Sequence, residues 1–161
     1  MTEGRVFSIN ISEKKGMRKK PVQSAYIREN HGIEGDAHPS PLWHRQLSLL
    51  AIESIRKTTI PVKAGESSVG AEAAHGEARA HEPGDFAENI TTEGLTLTAL
   101  PVGSRLRIGQ CLAEVTQIGK RCHEKCEIYK ETGDCIMPRE GIFVKIIAGG
   151  WVRKGDPIIP L

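Results

Sequence analysis

Short runs in which apolar and polar residues alternate dominate this chain. The first run, residues 5–11, places Phe7, Ile9 and Ile11 on one side and predicts a half-buried strand. Similar runs predict strands at 22–27, 95–99, 105–108, 112–118 and 142–148, and the last of these is apolar and β-branched enough to be central. Glycine and proline turns separate the runs. The pattern therefore favours a mainly β fold, a closed or partly closed barrel with a few short helices.

One region, residues 46–57, fits two different predictions. Leu47, Leu50, Ala51 and Ile55 have the spacing of one helix face. The same residues also fit a strand over 46–51 followed by a short helix. Periodicity alone does not separate these alternatives, so both stay open at this point.

Composition limits the class of protein. The 161 residues suit a single domain, 1–161, and 39% hydrophobic with 26% charged residues is ordinary for a globular protein. A net charge of +2 and an aromatic content of 4% argue against nucleic acid as a partner. No apolar run approaches the roughly 18 residues that span a membrane, and residues 1–16 lack the apolar core of a secretory signal. We therefore expect a cytoplasmic protein with no membrane partner.

Residues 65–82 differ from the rest of the chain, being rich in alanine, glutamate and glycine. We interpret this stretch as a loop insertion with no chemical role. Its two histidines, His75 and His81, are predicted to be exposed bystanders.

The strongest chemical signal is the cysteine segment, Gly119–Gly141. It holds three of the four cysteines, with basic residues around the first of them, and the residues concerned are Cys122, Cys126, Cys135, Lys120, Arg121 and His123. Thiolates are soft metal ligands, and neighbouring cations keep a thiol deprotonated near neutral pH. Arg139 closes the segment. Cys111 lies at the start of the 112–118 strand and is predicted to be an inert core residue.

Three interpretations of the cysteine segment stay open. A structural zinc ion requires four ligands, whereas the C-x3-C-x8-C spacing offers three thiols, and His123 is too close to Cys122 to join the same ion without strain. Buried structural thiols are the second interpretation. The third is a thiolate with a catalytic or metal-binding role.

Polar residues in two other loops are weaker candidates. Residues 13–21 carry five cations, which indicate either a solvated hairpin loop or a phosphate site. Asp36, His38 and His44 are either metal ligands or, as is usual for isolated polar residues in loops, structural hydrogen-bonding groups. Motifs for a P-loop, a dinucleotide-binding fold, an α/β-hydrolase and a zinc protease are absent from the sequence.

Several motifs occur together in an order that resembles a known family. They are Gly32–His38, Arg45–Leu49, Pro83–Gly94, Leu100–Gly109, Glu114–Cys122, Gly133–Cys135 and Met137–Phe143. This set is similar to the motifs of MOSC domains, a family named from the C-terminal domain of molybdenum cofactor sulfurase, and is most similar to the small stand-alone proteins of prokaryotes. The resemblance covers nearly the whole chain outside residues 65–82.

The resemblance implies a β-rich barrel that binds the molybdenum cofactor, a pterin with a dithiolene and a terminal phosphate. It implies Cys122 or Cys126 as the residue that takes the metal or carries sulfur, with Cys135 assisting. Lys19, Lys20 and Arg45 would hold the phosphate, and Asp36 and His44 would bind pterin edges or move protons. The remaining cofactor contacts that the resemblance suggests are Asn89, Lys120, Arg121 and Arg139.

The resemblance implies two functions. One is an oxidoreductase that removes oxygen from N-hydroxylated bases or amidoximes at molybdenum, with electrons from a separate reductase. The other is a carrier of the cofactor, or of sulfur for it, that serves a molybdoenzyme. Pyridoxal phosphate belongs to the sulfurase domain to which some relatives are fused, so none is expected here. A zinc-stabilised binding module without catalysis is the alternative from a different class.

Overall fold

The computed structural model describes residues 3–14, 18–37, 44–60, 79–119 and 136–161. The strands in these ranges are β1 (Gly4–Ile11), β2 (Lys20–Val22), β3 (Ser24–Arg28), β4 (Gly32–Ile33), β5 (Leu47–Ala51), β6 (Thr59–Ile60), β7 (Arg79–Ala80), β8 (Ile90–Glu93), β9 (Arg105–Ile108), β10 (Cys111–Ile118), β11 (Ile142–Ala148), β12 (Gly150–Arg153) and β13 (Pro157–Pro160). The α-helices there are α1 (Ile52–Ile55) and α2 (Met137–Glu140), and Leu97–Ala99 forms a 3-10 turn.

Seven of the strands close into a barrel. Their order is β13-β9-β10-β11-β5-β8-β1, and the ring closes because β1 pairs with β13, with Gly4 opposite Ile158. The pairs in the ring are antiparallel except for β5 with β8, which is parallel. A small sheet, β12-β3-β4, packs its apolar face against the same core. The mainly β barrel that the sequence predicts is confirmed.

The hydrophobic residues in the described ranges form two clusters, one inside the barrel and one on its outer wall. Strand β5 contributes to both, because Leu47 and Leu49 point inward and Leu50 points outward, which is why all five of its residues are buried. The outer cluster is hereafter called the second cluster, and its members are Leu50, Ile52, Ile55, Phe86, Ile136, Met137 and Phe143. Both short helices thus cover the outer wall of β5 and β11.

The structure resolves the ambiguous region and corrects one strand face. Residues 46–57 form β5 followed by α1, the strand-then-helix alternative. The prediction that Phe7 shares a face with Ile9 is wrong, because the register of β1 on β8 shifts between Val6 and Ser8. This irregularity directs Ile9 into the barrel, while Phe7 packs against the second cluster.

Two other predicted runs differ from the observed elements. The 22–27 run is divided at Gln23, where β2 ends and β3 begins in a different sheet. The strand predicted over 95–99 is wrong, since this segment makes a 3-10 turn whose backbone bonds are local, as in Leu100 N–H to Leu97 O at 3.0 Å. The predicted strands at 105–108, 112–118 and 142–148 are confirmed as β9, β10 and β11. None of the helices in the described ranges is long and apolar enough to span a bilayer.

Thr92 provides a stability prediction within the barrel. It lies on β8 between Val6 and Ala51, is fully buried, and its hydroxyl has no hydrogen-bond partner in the described part of the chain. Because an unsatisfied buried hydroxyl costs roughly 1–3 kcal/mol, we expect Thr92→Val to raise the free energy of unfolding by about 1 kcal/mol in urea titrations. Thr91→Val is the matched control, and we expect it to lower the free energy of unfolding, because the Thr91 hydroxyl donates to Glu88 at 2.7 Å and that bond would be lost. Destabilisation by Thr92→Val would contradict the assignment.

Candidate functional site

The outer wall of the barrel presents a row of residues from three adjacent strands. Gln117 on β10 lies opposite Phe143 on β11, and Phe143 lies opposite Ser48 on β5. Residues paired across strands project to the same side of a sheet, so all three side chains face outward with the second cluster. Two of the predicted site residues, His44 and Arg45, meet Gln117 on this wall.

Three polar side chains, His44, Arg45 and Gln117, form what we call the Gln117 cluster. The Gln117 amide oxygen accepts hydrogen bonds from His44 Nε2 at 2.7 Å and from Arg45 Nε at 3.0 Å, and its amide nitrogen donates to Gly119 O at 2.8 Å. The Arg45 guanidinium carbon lies 5.2 Å from the centroid of the Phe143 ring. A guanidinium fixed on an aromatic face is well placed to bind an anionic group.

The cysteine segment begins and ends beside this cluster. Gly119 N donates to Gly141 O at 2.6 Å, and Gly119 adopts a positive φ of 68°, with Pro138 O occupying the space that a Cβ would need. At the other end, Ile136 and Met137 pack into the second cluster. The chain therefore leaves and re-enters the fold at the same wall. Residues 120–135, with Cys122, Cys126, Cys135, Lys120, Arg121 and His123, lie outside the described residues.

A buried ion pair, Lys19 with Asp36, organises the neighbouring polar region. Lys19 Nζ lies 2.6 Å from Asp36 Oδ1, and the two side chains are 1% and 2% exposed. Ser12 N donates to the same oxygen at 3.0 Å, and the Asn89 amide donates to Asp36 Oδ2 at 3.0 Å. We call these four residues the Asp36 cluster. Burial alone favours the protonated acid, but the hydrogen bond and charge of Lys19 outweigh it and hold the pKa of Asp36 below its usual value.

Asn89 links the Asp36 cluster to the outer wall. Its side-chain oxygen accepts hydrogen bonds from Ser48 N at 3.0 Å and Ser48 Oγ at 3.2 Å, and its backbone N–H donates to Ser48 Oγ at 3.0 Å. Because Ser48 is the cross-strand neighbour of Phe143, these bonds connect the ion pair to the row that carries the Gln117 cluster. The contacts of Lys19, Asp36 and Asn89 are thus with the protein framework.

Glu88 is a central residue that the sequence interpretation missed. It is fully buried and accepts hydrogen bonds from Gly84 N at 3.0 Å, Phe86 N at 3.3 Å and Thr91 Oγ1 at 2.7 Å. Burial raises the pKa of Glu88 to about 7 despite these bonds. Through these hydrogen bonds the Glu88 carboxylate holds the 83–89 turn together and so fixes the position of Asn89. Nothing in the local pattern distinguishes it from the other glutamates of a charged chain.

The prediction that His81 is an exposed bystander is wrong. The ring is buried, its Nδ1 lies 2.5 Å from Thr58 Oγ1, and its centroid lies 4.7 Å from that of Phe86. His81 lines a cavity of about 290 Å³ together with Arg139, one of the predicted cofactor contacts. Burial occurs because Thr58, which precedes the predicted loop, and Phe86, which follows it, enclose the ring. His75 lies outside the described residues.

The other predicted residues are dispersed. Lys20 lies exposed on β2, and Arg139 lies on α2. His44 bonds to Gln117, whereas His38 lies outside the described ranges. Within those ranges, no three histidine, cysteine, aspartate or glutamate side chains are grouped as a metal site would require. Cys111 is fully buried, and burial raises the pKa of its thiol to about 12, so the prediction of an inert core cysteine is confirmed.

Known proteins are similar to this chain in both sequence and fold. A family model described as "MOSC domain" matches residues 45–159. Among solved structures, the YuaD protein from Bacillus subtilis is similar with a TM-score of 0.70 and 19% identity over 98% of this chain and 94% of that one. YiiM from Geobacillus stearothermophilus has a TM-score of 0.66 and 20% identity, and the match covers 98% of this chain and 75% of that one. YiiM from Escherichia coli has a TM-score of 0.59 and 20% identity, and the match covers 100% of this chain and 70% of that one. These likenesses establish a shared fold. The search of curated proteins gives no match.

Proposed function

Because this chain belongs to the MOSC domain family, we propose that it binds the molybdenum cofactor at the outer wall of the barrel. It acts there either as a reductase of N-hydroxylated substrates or as a carrier of the cofactor or its sulfur. The observation that carries this proposal is the position of the cysteine segment. Both of its described ends meet the wall beside the Gln117 cluster, so the thiol-bearing chain leaves and returns next to a fixed arginine.

The residues of this wall fit the chemistry of the cofactor. Its phosphate is an anion, and the Arg45 guanidinium offers a planar fork of donors for phosphate oxygens. Gln117 and Phe143 keep that guanidinium in one place, which lowers the entropic cost of binding. The metal prefers soft ligands, and a thiolate from Cys122 or Cys126 is the proposed ligand. Lys20, Lys120, Arg121 and Arg139 are proposed as further cationic contacts.

The Asp36 cluster has a supporting role in this proposal. Lys19 neutralises Asp36 in the interior, and Asp36 orients the Asn89 amide, which in turn holds both polar groups of Ser48. A wall held by buried hydrogen bonds presents its side chains in one arrangement. We therefore propose that Lys19, Asp36 and Asn89 position the wall, and that His44 holds a proton at Nε2, where it donates to Gln117.

The bound cofactor supplies a redox-active metal, and the protein supplies binding, orientation and exclusion of water. In the enzyme form, the proposed partner is a reductase that delivers electrons. In the carrier form, the proposed partner is a molybdoenzyme that receives the cofactor or sulfur. Both forms are proposed for the cytoplasm.

Metal content tests the proposal directly. Protein purified without oxygen from a host that makes the cofactor is expected to carry molybdenum and a pterin chromophore, measured by elemental analysis and absorbance. Stoichiometric zinc without pterin would instead support the zinc-stabilised binding module. Turnover of an N-hydroxylated purine with an electron donor would identify the enzyme form.

Cysteine variants test the ligand assignment. We expect either Cys122→Ser or Cys126→Ser to abolish most of the molybdenum content, because a hydroxyl is a much poorer ligand than a thiolate for a soft metal. Cys111→Ala is the matched control, since this thiol is fully buried in the barrel core, and it should retain the metal. Full molybdenum in both serine variants would show that neither thiol is the ligand.

A further inference from the structure

The small sheet β12-β3-β4 has one buried and one exposed face, and the exposed face carries two aromatic rings. The side chains of its buried face belong to the barrel core, and they are Ala25, Ile27, Ile33 and Val152. Because successive side chains of a strand alternate between faces, Tyr26 and Trp151 project to the other side, where they are 37% and 46% exposed. Polar residues are usual on the outer face of an antiparallel sheet. An adjacent pair of large aromatic side chains in that position is typical of a contact surface.

The two rings are held as a pair across β3 and β12. Trp151 lies directly opposite Tyr26 in the register, and the ring centroids are 5.5 Å apart with their planes inclined by 73°, an edge-to-face contact. The Trp151 backbone is fixed as well, since its N–H donates to Gln110 Oε1 at 3.3 Å and its carbonyl accepts from Gln110 N at 3.2 Å. The rings are therefore ordered before a partner arrives, which lowers the entropic cost of binding.

The charges on this face favour an acidic partner. Arg28, on the exposed side of β3, is already compensated, because its Nη2 lies 2.6 Å from Glu34 Oε1. Arg153 lies two residues beyond Trp151 on the exposed side of β12, and its guanidinium has no ion pair among the described residues. Lys154 adds a cation in the turn that follows. The face thus keeps a positive charge that carboxylates of a partner would satisfy.

The dimensions of the face suit a single helix. Three strands spaced about 4.8 Å apart present a width of roughly 10–14 Å, and an α-helix with its side chains is about 10–12 Å across. Strand β3, which is 5 residues long, extends over about 17 Å, the length of roughly 11 helical residues. A partner strand is less favourable, because Gln110 already bonds to the outer edge of β12 at Trp151.

We propose that the exposed face of β12-β3-β4 docks an acidic amphipathic helix of a partner protein, with its apolar stripe on Tyr26 and Trp151 and a carboxylate against Arg153. This face adjoins the end of β11 at Ala148, about 17 Å along the strand from Phe143. A helix docked here would leave the Gln117 cluster uncovered. Docking goes beyond the proposed function, because it requires neither the cysteine segment nor the metal.

Titration of the cofactor-free protein with a synthetic helical peptide tests this inference. The probe has leucine along one face and glutamate on the others, and the matched control peptide has lysine in place of glutamate. The chain contains 2 tryptophans, so the indole N–H signal of Trp151 in nuclear magnetic resonance spectra can be assigned by its absence from a variant. We expect the acidic peptide to shift this signal in a saturable way, with weaker binding as the salt concentration rises.

Variants separate recognition from folding. Trp151→Thr keeps a β-branched residue in the strand and is expected to weaken binding of the acidic peptide by about tenfold or more, because a buried tryptophan is often a hot spot of an interface. Arg153→Gln leaves the ring pair in place and is expected to weaken binding by about threefold. Arg105→Gln is the control that should bind as the wild type does, since Arg105 is exposed on β9, outside this sheet. Urea titrations establish that each variant is folded.

The outcomes separate this surface from the proposed cofactor site and from other occupants. Saturable binding of the acidic peptide that weakens in Trp151→Thr supports the inference, whether or not the purified protein ever carries molybdenum. No saturable shift, equal binding of the acidic and basic peptides, or wild-type affinity in both Trp151→Thr and Arg153→Gln would overturn it. A dimer that Trp151→Thr abolishes would assign the face to a second copy of the chain instead. Binding of single-stranded DNA that the same variant abolishes would assign it to nucleic acid.

Discussion

Replacing Lys19 by methionine is expected to lower the free energy of unfolding by about 3–5 kcal/mol. The substitution leaves the Asp36 carboxylate in an interior where its side chain is only 2% exposed and where its charge has lost its partner. The charged acid must then be protonated or hydrated, and either event disturbs the bonds to Ser12 and Asn89. Denaturant titrations at neutral pH, followed by circular dichroism, measure this loss.

An exposed ion pair provides the control for Lys19. Arg28 and Glu34 lie 2.6 Å apart with side chains 60% and 45% exposed, so Arg28→Met is expected to cost less than about 1 kcal/mol. A double variant, Lys19→Met with Asp36→Leu, is expected to recover much of the lost stability, because an apolar pair leaves no buried charge. Equal effects of Lys19→Met and Arg28→Met would refute the role of the buried pair.

The second large effect is expected to be a fall in stability between about pH 4.5 and pH 7. Burial raises the pKa of Glu88 from 4.5 to about 7 in the folded protein. In this window the folded state binds a proton that the unfolded state has released, so the unfolded state is favoured as the pH rises. The contribution of Glu88 is fully present below pH 4.5 and is lost by pH 7. At 1.36 kcal/mol for each pH unit, the loss is about 3 kcal/mol.

Glu88→Gln tests this assignment. Glutamine has nearly the same shape but does not ionise. Its amide oxygen can take the place of Oε2 and accept from Gly84 N and Thr91 Oγ1, whereas its NH2 group takes the place of Oε1 and loses the long bond of 3.3 Å from Phe86 N. The free energy of unfolding of the variant should therefore change little between pH 5 and pH 8, and at pH 8 it should exceed that of the wild type. Exposed Glu82 supplies the control, and Glu82→Gln should keep the wild-type slope. A wild-type slope in Glu88→Gln would show that another group titrates.

Two other carboxylates act with the opposite sign and in a different range. The pKa values of Asp36 and Glu140 are lowered in the folded state, so their stabilising contributions are present at neutral pH and are lost as the pH falls below their usual values. The effect of Glu88 is therefore best measured above about pH 5, where both of these groups remain ionised.

These stability experiments also bear on the proposed function. Glu88 holds the turn that places Asn89, and Asn89 connects the Asp36 cluster to Ser48 on the wall. A change in Glu88 or in the Asp36 cluster should therefore alter the outer wall as well as the stability of the fold. Molybdenum content measured at pH 5 and pH 8 would show whether the wall binds differently when Glu88 is neutral.

The sequence by itself determined the class of fold and the chemical character of the proposed site. The strands β9, β10 and β11 follow from alternating residues, because a strand with one buried face requires a period of two. The ordered motifs identified the family, which the match over residues 45–159 confirms. Thiols clustered with cations were visible without any structure, since spacing along the chain is enough to bring them together.

Tertiary structure alone decided which polar groups meet and which are buried. The sequence offers Lys19 as a candidate phosphate contact, and only the structure shows that its ammonium lies against Asp36. The prediction that His81 is exposed is wrong, because Thr58 and Phe86 enclose it. Both outcomes depend on contacts between residues that are well separated in the sequence, Lys19 with Asp36 and Thr58 with His81. A local sequence pattern indicates the period of a strand. It does not indicate which segments pack beside that strand or how far they exclude water. The roles of charged side chains, which depend on that exclusion, were therefore set by the closed barrel.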